Sequence, residues 1–188
     1  MSGKLFLIKS SAPTRIDLAG GTLDIWPLHL FFGNAPTLNA AVDLYATVEI
    51  IPRKDKRIVL HSQDLNLEDS FSSLNTLPDN HPLELITRTL KFYTPKSGLE
   101  ISTSCQAPQG SGIGGSSALN IALHGALNKL TGRKYSKQEM IEIARNIETQ
   151  VIRVPAGSQD YFPAMYGGVR SVSYTHLRAH ETDSYLVC

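Results

Sequence analysis

The fold class is decided by one stretch, Ala107-Pro108-Gln109-Gly110-Ser111-Gly112-Ile113-Gly114-Gly115-Ser116-Ser117-Ala118, which joins two segments of different hydrophobic periodicity. Residues 99–105 before it alternate between apolar and polar, as expected for a half-buried strand. Residues 116–130 after it are apolar enough for a buried helix, which Thr131-Gly132 ends. Because strands and helices interleave in this way, we predict an α+β fold, with α/β as the alternative.

The glycine-rich turn in this stretch has the composition of a phosphate site. Glycines tolerate positive φ and let the backbone approach a ligand closely. Their N–H groups can point inward around an anion, and the helix that follows adds free N–H groups and a partial positive charge. No Lys-Ser or Lys-Thr pair follows the glycines, so this is not a Walker A loop. The alternative is a flexible loop with a serine helix cap.

The rest of the chain supplies strands and helices on both sides of this loop. Leu5–Ile8 is predicted as a first strand that ends at Ser11-Ala12-Pro13. The other predicted elements are a hairpin of 42–51 with 57–61, a polar surface excursion at 62–81, helices that follow Pro82 and Ser136, and a strand at Val169.

Composition narrows the class of protein. The 188 residues carry a net charge of +1, which gives no sign of a nucleic-acid or membrane partner. Two cysteines, Cys105 and Cys188, argue against a disulfide scaffold. The sequence contains neither a signal-peptide pattern nor an apolar run of the ~20 residues that span a bilayer. We therefore expect a cytoplasmic protein.

Two carboxylates follow the loop and could divide the tasks of phosphoryl transfer. The transfer needs a metal to neutralise phosphate charge and a group that orients or deprotonates the attacking hydroxyl. Glu148, near the end of the second long helix, and Asp160, after Pro155 and Gly157, are candidates for these roles. Alternatively, Glu148 is a solvated helix charge and Asp160 a helix N-cap.

A third motif, Ala12-Pro13-Thr14-Arg15-Ile16-Asp17-Leu18-Ala19-Gly20-Gly21-Thr22-Leu23-Asp24, precedes both features. By itself, Arg15 could be a surface residue beside Asp17, and Asp24 could be a turn residue.

In this order and spacing the three motifs resemble those of the GHMP kinases, a family of ATP-dependent small-molecule kinases, from about Lys4 to Val169. The resemblance implies ATP and Mg²⁺ as cofactors and an N-terminal lobe with a ribosomal-protein-like fold. It implies Asp160 as the catalytic base with Arg15 beside it, and Ser117 and Glu148 as metal ligands. The implied nucleotide-binding residues are Pro108, Gly110, Ser111, Gly112, Ile113, Gly114, Gly115, Ser116 and Ser117.

The resemblance also implies a substrate class, a sugar or sugar phosphate. Asp24, Gly21 and Gly157 are the implied substrate-binding residues, and the segment around Asp160 looks closest to heptose-phosphate kinases and fucokinase-like members. Gly21 stands where galactokinases have an acidic residue, and Asp17 stands where many members have asparagine. These departures count against galactose itself.

The boundaries that follow are residues 1–170 for the ATP-binding domain and 171–188 for a non-native or disordered tail. His176 and His180 in that tail are not expected to bind zinc, because no further ligand pattern accompanies them. The ferredoxin-like C-terminal lobe of the family is expected to be missing, so we expect an inactive fragment with weak turnover or none. The oligomeric state is not readable from the sequence.

Two other functions compete with the kinase. The first is a non-catalytic protein derived from a kinase that still binds a sugar or nucleotide. The second is an RNA-binding module, suggested only by the likeness of the lobe to a ribosomal protein. The chain lacks the basic stripe with interleaved aromatic residues that RNA binding would need.

Overall fold

The computed structural model describes residues 6–32 and 36–173. Strands are β1 Ile8–Ala19, β2 Thr37–Pro52, β3 Ile58–Ser62, β4 Leu67–Phe71, β5 Leu99–Cys105 and β6 Val169–Val172. Helices are α1 Leu28–Phe31, α2 Glu84–Tyr93, α3 Gly115–Thr131, α4 Lys137–Ile152 and α5 Tyr161–Tyr166. Short 3-10 turns cover Gly21–Asp24 and Leu74–Thr76. The predicted α+β class is confirmed.

The strands form one mixed sheet in the order β1-β2-β5-β3-β4, and β6 pairs with residues 37–40 of β2. All pairs are antiparallel except β3 with β5. The predicted hairpin of 42–51 with 57–61 is therefore wrong, because β5 inserts between β2 and β3. The loop between β2 and β3 forms hydrogen bonds with Gly98, the residue before β5. Gly98 N donates to Asp55 O at 2.8 Å, and Arg53 N donates to Gly98 O at 2.8 Å.

The first strand is longer than predicted. It continues through Ser11-Ala12-Pro13 to Ala19, because β1 lies at the sheet edge and the pairing with β2 shifts register between Pro13 and Thr14. A proline without an N–H is tolerated at such an edge or irregularity. This extension places Arg15 on a strand beside the glycine loop. The predicted excursion at 62–81 also contains a strand, β4.

The core lies between one face of the sheet and the helices. Helix α3 packs on β1 and β2 and contacts α2, α4 and α5, so it occupies the centre of the helical layer. The buried contacts include Val48, Ile50, Ile101, Leu123 and Ala126. The other sheet face carries polar pairs, such as Lys9 with Glu49 at 2.9 Å. Because α3 is anchored in the core, the loop before it is held at a fixed place.

The helix boundaries follow local signals. A capping box fixes the start of α4, because the Ser136 hydroxyl accepts a hydrogen bond from the Glu139 N–H and the Glu139 carboxylate accepts one from the Ser136 N–H.

The strand β6 extends two residues past 170, the predicted domain boundary, and Val172 is fully buried. The rest of the predicted tail, 174–188, lies outside the described residues, as do His176 and His180.

Candidate active site

A cleft of about 760 Å³ opens where β5 ends and α3 begins. Its walls come from the glycine loop, the first turn of α3, β1, α4 and the turn between β3 and β4. The lining residues are Arg15, Asp64, Leu65, Cys105, Gln106, Ala107, Pro108, Gln109, Gly110, Ser111, Gly112, Gly114, Gly115, Ser116, Ser117, Leu119, Glu148 and Asp160. All the predicted nucleotide-binding residues except Ile113 are among them.

The loop is built on left-handed glycines. Gly110, Gly112 and Gly114 have φ of 74°, 72° and 73°, a region that L side chains rarely adopt. Gly114 also needs to be small, because a Cβ there would lie 3.3 Å from Cγ of Arg15. Beyond Gly114, the first turn of α3 presents N–H groups that have no acceptor within the helix, with the positive end of its dipole. The arrangement suits a polyanion in the cleft.

Arg15 ties the proposed base to this loop. Its Nε donates to Oδ1 of Asp160 at 2.7 Å, its Nη2 forms an ion pair with the same oxygen at 2.6 Å, and its Nη1 donates to the carbonyl oxygen of Gly112 at 3.0 Å. The backbone N–H of Arg15 also donates to the Ile113 carbonyl at 3.0 Å, which gives β1 a second attachment to the loop. The Arg15 side chain is only 11% exposed, so it is not a surface residue beside Asp17. The predicted contact between Arg15 and Asp160 is confirmed.

Asp160 occupies the N-cap position of α5, but its side chain belongs to the cleft and does not cap the helix. It precedes α5 with helical backbone angles, and its side chain makes no capping hydrogen bond. Its carboxylate faces the cleft and is 26% exposed, which leaves it accessible to a ligand. The alternative role as an N-cap is therefore not what the structure shows.

Glu148 lies at the inner end of the cleft beside the start of α3. It is 9% exposed, which rules out a solvated helix charge. Its Oε1 accepts from the Ser116 hydroxyl at 2.9 Å, and its Oε2 accepts from the Ser117 hydroxyl at 3.3 Å and from the Tyr161 hydroxyl. Burial raises the pKa of this carboxyl, and hydrogen bonds from the serines partly offset the rise.

The donor set at Glu148 fits a magnesium ion that is shared with phosphates. Mg²⁺ prefers oxygen ligands and is usually held by one or two carboxylates, waters and substrate phosphates. Glu148 and the Ser117 hydroxyl supply such oxygens at the end of the loop. Within 6–32 and 36–173, no three His, Cys, Asp or Glu side chains converge as a metal cage. These residues therefore suit a metal ion that binds together with a polyphosphate, whose oxygens complete its coordination.

Asp24 lies beneath the segment that carries Asp160. It is 5% exposed, and its Oδ2 accepts from the backbone N–H groups of Ser158 and Gln159 at 2.5 and 2.9 Å. Gly157 abuts the same carboxylate, since a Cβ there would lie 2.2 Å from Oδ2. Of the residues described, those that line the cleft include none of Gly21, Asp24 and Gly157. Their contact with a sugar stays a prediction.

Two further hydrogen bonds hold the segment before Asp160. The Arg145 guanidinium on α4 donates to the Ser158 hydroxyl at 2.7 Å, and the Asn39 amide on β2 donates to the Gln159 side chain at 3.3 Å. Together with Asp24, these contacts attach the segment to three separate elements. The position of Asp160 is therefore set by its own ion pair with Arg15 and by the two residues before it.

Burial of Asp24 gives a pH dependence of stability. Desolvation raises its pKa above the ordinary value of 3.8, against the lowering effect of the two backbone hydrogen bonds. Below pH 3.8 the Asp24 carboxyl is protonated in both the folded and the unfolded chain. Above pH 3.8 the unfolded chain loses this proton first, because its pKa is the lower of the two. The contribution of Asp24 to stability therefore falls as the pH rises through the pKa of the folded chain. An asparagine side chain at this position would not titrate. We expect Asp24→Asn to gain stability relative to the unsubstituted chain as pH rises from about 4 to 7.

Urea unfolding of both proteins across this pH range measures that difference. A difference that stays constant, or that falls with pH, would contradict the raised pKa.

Sequence reasoning missed several residues of the site. Asp64 and Leu65 reach the cleft from the turn between β3 and β4, which no local motif could indicate. No local pattern indicated Tyr161, because its hydrogen-bond partner Glu148 lies thirteen positions away in the sequence. Only its place directly after Asp160 could have drawn attention to it.

In the part of the chain described, no helix is long and apolar enough to cross a membrane.

Comparison with known proteins finds relatives that are named as kinases. Residues 80–168 match the family model described as GHMP kinases N terminal domain. Over 172 residues the chain is 29% identical to D-glycero-alpha-D-manno-heptose 7-phosphate kinase of Campylobacter jejuni, a match that covers 89% of this chain and 50% of that protein. It is 30% identical over 175 residues to mevalonate kinase of Methanothermobacter thermautotrophicus, covering 93% of this chain and 53% of that protein.

Solved structures agree with the sequence matches. A D-glycero-D-manno-heptose 1-phosphate kinase from Bacteroides thetaiotaomicron superposes with a TM-score of 0.82 at 26% identity, covering 97% of this chain and 59% of that one. The chain spans about half the length of the curated relatives it matches. The resemblance and the lobe predicted from the three motifs are confirmed.

Proposed function

Because the chain belongs to the GHMP kinase family, we propose that it binds ATP with Mg²⁺ in the cleft and presents the γ-phosphate to a hydroxyl of a sugar or sugar phosphate. The support is geometric. A loop suited to a polyphosphate, a hydroxyl–carboxylate pair suited to Mg²⁺ and a second carboxylate line one cleft. In phosphoryl transfer, positioning and charge stabilisation account for most of the catalysis.

The observation that carries the proposal is the bridge made by Arg15. One guanidinium contacts both Asp160 and the carbonyl oxygen of Gly112, so the carboxylate and the phosphate loop keep a fixed separation. Asp160 would orient the attacking hydroxyl and accept its proton. Arg15, a cation at the same place, would stabilise negative charge on the transferring oxygens.

The first turn of α3 and Glu148 on α4 would hold the metal. Mg²⁺, when bound, neutralises charge on the phosphate oxygens and makes the terminal phosphorus easier to attack. Ser117 and Glu148 would contribute oxygens to it, while Ser116 would contact phosphate or support Glu148. The loop N–H groups between Gly110 and Ser117 would cradle the remaining phosphate oxygens.

Part of the cleft rim is suited to a nucleoside. Leu65, Ala107, Pro108 and Leu119 give it apolar surface, and Gln106 and Asp64 add polar groups. Ligand pockets commonly combine an apolar lining with a few polar groups that fix orientation. The triphosphate would then run from this rim along the loop toward Asp160.

The proposed acceptor is a sugar or sugar phosphate. Two of the relatives compared above are named as heptose-phosphate kinases. A third is named as a mevalonate kinase, so mevalonate belongs among the acceptors tested.

Single-turnover transfer of γ-labelled phosphate tests the proposal, with the chain in excess over ATP so that slow transfer is detected. Heptose phosphates, fucose, galactose and mevalonate serve as acceptors. Because weak turnover is expected of this chain, we expect slow transfer of label to a sugar or sugar phosphate, dependent on Mg²⁺. ATP binding without transfer to any acceptor would select a non-catalytic binder, and the absence of ATP binding would overturn the proposal.

A further inference from the structure

Tyr161 is a buried residue at the back of the metal end of the site. It is the first residue of α5 and is 1% exposed. Its hydroxyl donates to Oε2 of Glu148. Tyr161 is not among the described residues that line the cleft, so nothing bound there would touch it. Any effect of its hydroxyl on a ligand must pass through Glu148.

The three hydroxyl groups around Glu148 differ in where they lie. Those of Ser116 and Ser117 line the cleft and can turn lone pairs toward a cation or phosphate. The Tyr161 hydroxyl approaches from the protein interior. A carboxylate accepts several hydrogen bonds, so all three donors can be satisfied at once. Of these donors, Tyr161 alone can hold Glu148 in place whatever the serines bind.

The backbone makes this hydrogen bond relevant to the whole site. Tyr161 directly follows Asp160, so the residue that carries one carboxylate of the cleft adjoins the residue that binds the other. Asp160 is held by Arg15 on β1, and Glu148 on α4 is held by Tyr161. The start of α5 therefore links the metal end of the site with the proposed base.

We propose that Tyr161 is the positioning residue for magnesium, in that its hydroxyl fixes the orientation in which Glu148 meets the metal. This inference rests on the proposed function, because it assumes that Mg²⁺ binds at Glu148 with ATP. Residues that hydrogen-bond to a metal ligand typically change metal affinity by about 10–100-fold when mutated. A residue that merely fills the core would change stability without changing the response to metal.

Titration of ATP binding against Mg²⁺ tests the inference on the full 188-residue chain. Tyr161→Phe removes the hydroxyl and keeps the ring. We expect ATP affinity without Mg²⁺ to stay close to that of the unsubstituted chain. The Mg²⁺ concentration that gives half the enhancement of ATP binding should rise by about 10-fold or more.

Tyr93→Phe is the matched control. Tyr93 is also 1% exposed, its hydroxyl is hydrogen-bonded to Nδ1 of His124 at 3.0 Å, and neither residue is among those that line the cleft. We expect this variant to lose stability but to keep the normal Mg²⁺ response. In a Glu148→Gln background, Tyr161→Phe should have little further effect on that response, because the group it positions has lost its charge.

The outcomes separate the inference from the function it rests on. If Mg²⁺ does not enhance ATP binding by the unsubstituted chain, the proposed metal site is wrong and the role of Tyr161 falls with it. If Mg²⁺ enhances binding and Tyr161→Phe responds normally, only the positioning role is overturned. If Tyr161→Phe does not fold, the Mg²⁺ response of Tyr161→Trp or Tyr161→Leu decides: a normal response in a folded variant overturns the role.

Discussion

Replacing Asp160 by asparagine is expected to lower phosphoryl transfer by about 10²–10⁴-fold, the usual contribution of a general base. The amide keeps the size of the carboxylate but cannot take a proton from the attacking hydroxyl. ATP binding should change little, because the loop and the residues around Glu148 are untouched. The rate is measured by single-turnover transfer of labelled phosphate, compared with that of the unsubstituted chain.

Asp17→Asn is the control for this variant. It makes the same chemical change in the same part of the molecule, at an exposed residue that does not line the cleft. We expect transfer by this variant at the normal rate. Transfer by Asp160→Asn within a few-fold of normal would remove Asp160 as the base.

Gly157→Ala is expected to cost about 3–5 kcal/mol of folding stability, from overpacking and from loss of hydrogen bonds to a charged group. The added Cβ would lie 2.2 Å from Oδ2 and 2.6 Å from Oδ1 of Asp24. That carboxylate cannot move away without leaving the buried N–H groups of Ser158 and Gln159. Urea unfolding measures the loss, and hydrogen exchange at 158 and 159 locates it.

Two controls make this result specific. Gly110→Ala strains a left-handed backbone but meets no atom within 4 Å, so its cost should be only about 1–2 kcal/mol. Asp24→Ala removes the clashing group, and Gly157→Ala should cost much less in that background than in the unsubstituted chain. Equal costs of Gly157→Ala in the two backgrounds would show that the contact with Asp24 does not matter.

Local signals were sufficient for much of the architecture. The helix α4 could be predicted because Ser136 and Glu139 have capping-box spacing, and both hydrogen bonds of the box are present. The strand β5 and helix α3 could be predicted from their periodicities, with the turn of left-handed glycines between them. These features depend on residues that are close in sequence, so a short segment of sequence is enough to predict each of them.

Non-local features were beyond such reasoning. The pairing of β3 with β5 depends on which strand enters the sheet beside β2, and no periodicity contains that information. Asp24 has the residue type of a sugar ligand, yet the chain uses its carboxylate to hold the N–H groups before Asp160. The contact of Tyr161 with Glu148 likewise arises only when α4 and α5 pack together. By contrast, the pairing of Arg15 with Asp160 was inferred correctly, through the family resemblance.

The central claim is that a triphosphate lies over the glycine loop with its terminal phosphorus facing Asp160. A crystal structure of the chain with Mg²⁺ and a non-hydrolysable ATP analogue tests this most directly. We expect phosphate oxygens within hydrogen-bond distance of N–H groups between Gly110 and Ser117, a metal beside Ser117 and Glu148, and the γ-phosphate on the same side as the Asp160 carboxylate. A nucleotide bound elsewhere, or loop N–H groups turned away from its phosphates, would contradict the kinase assignment of this site.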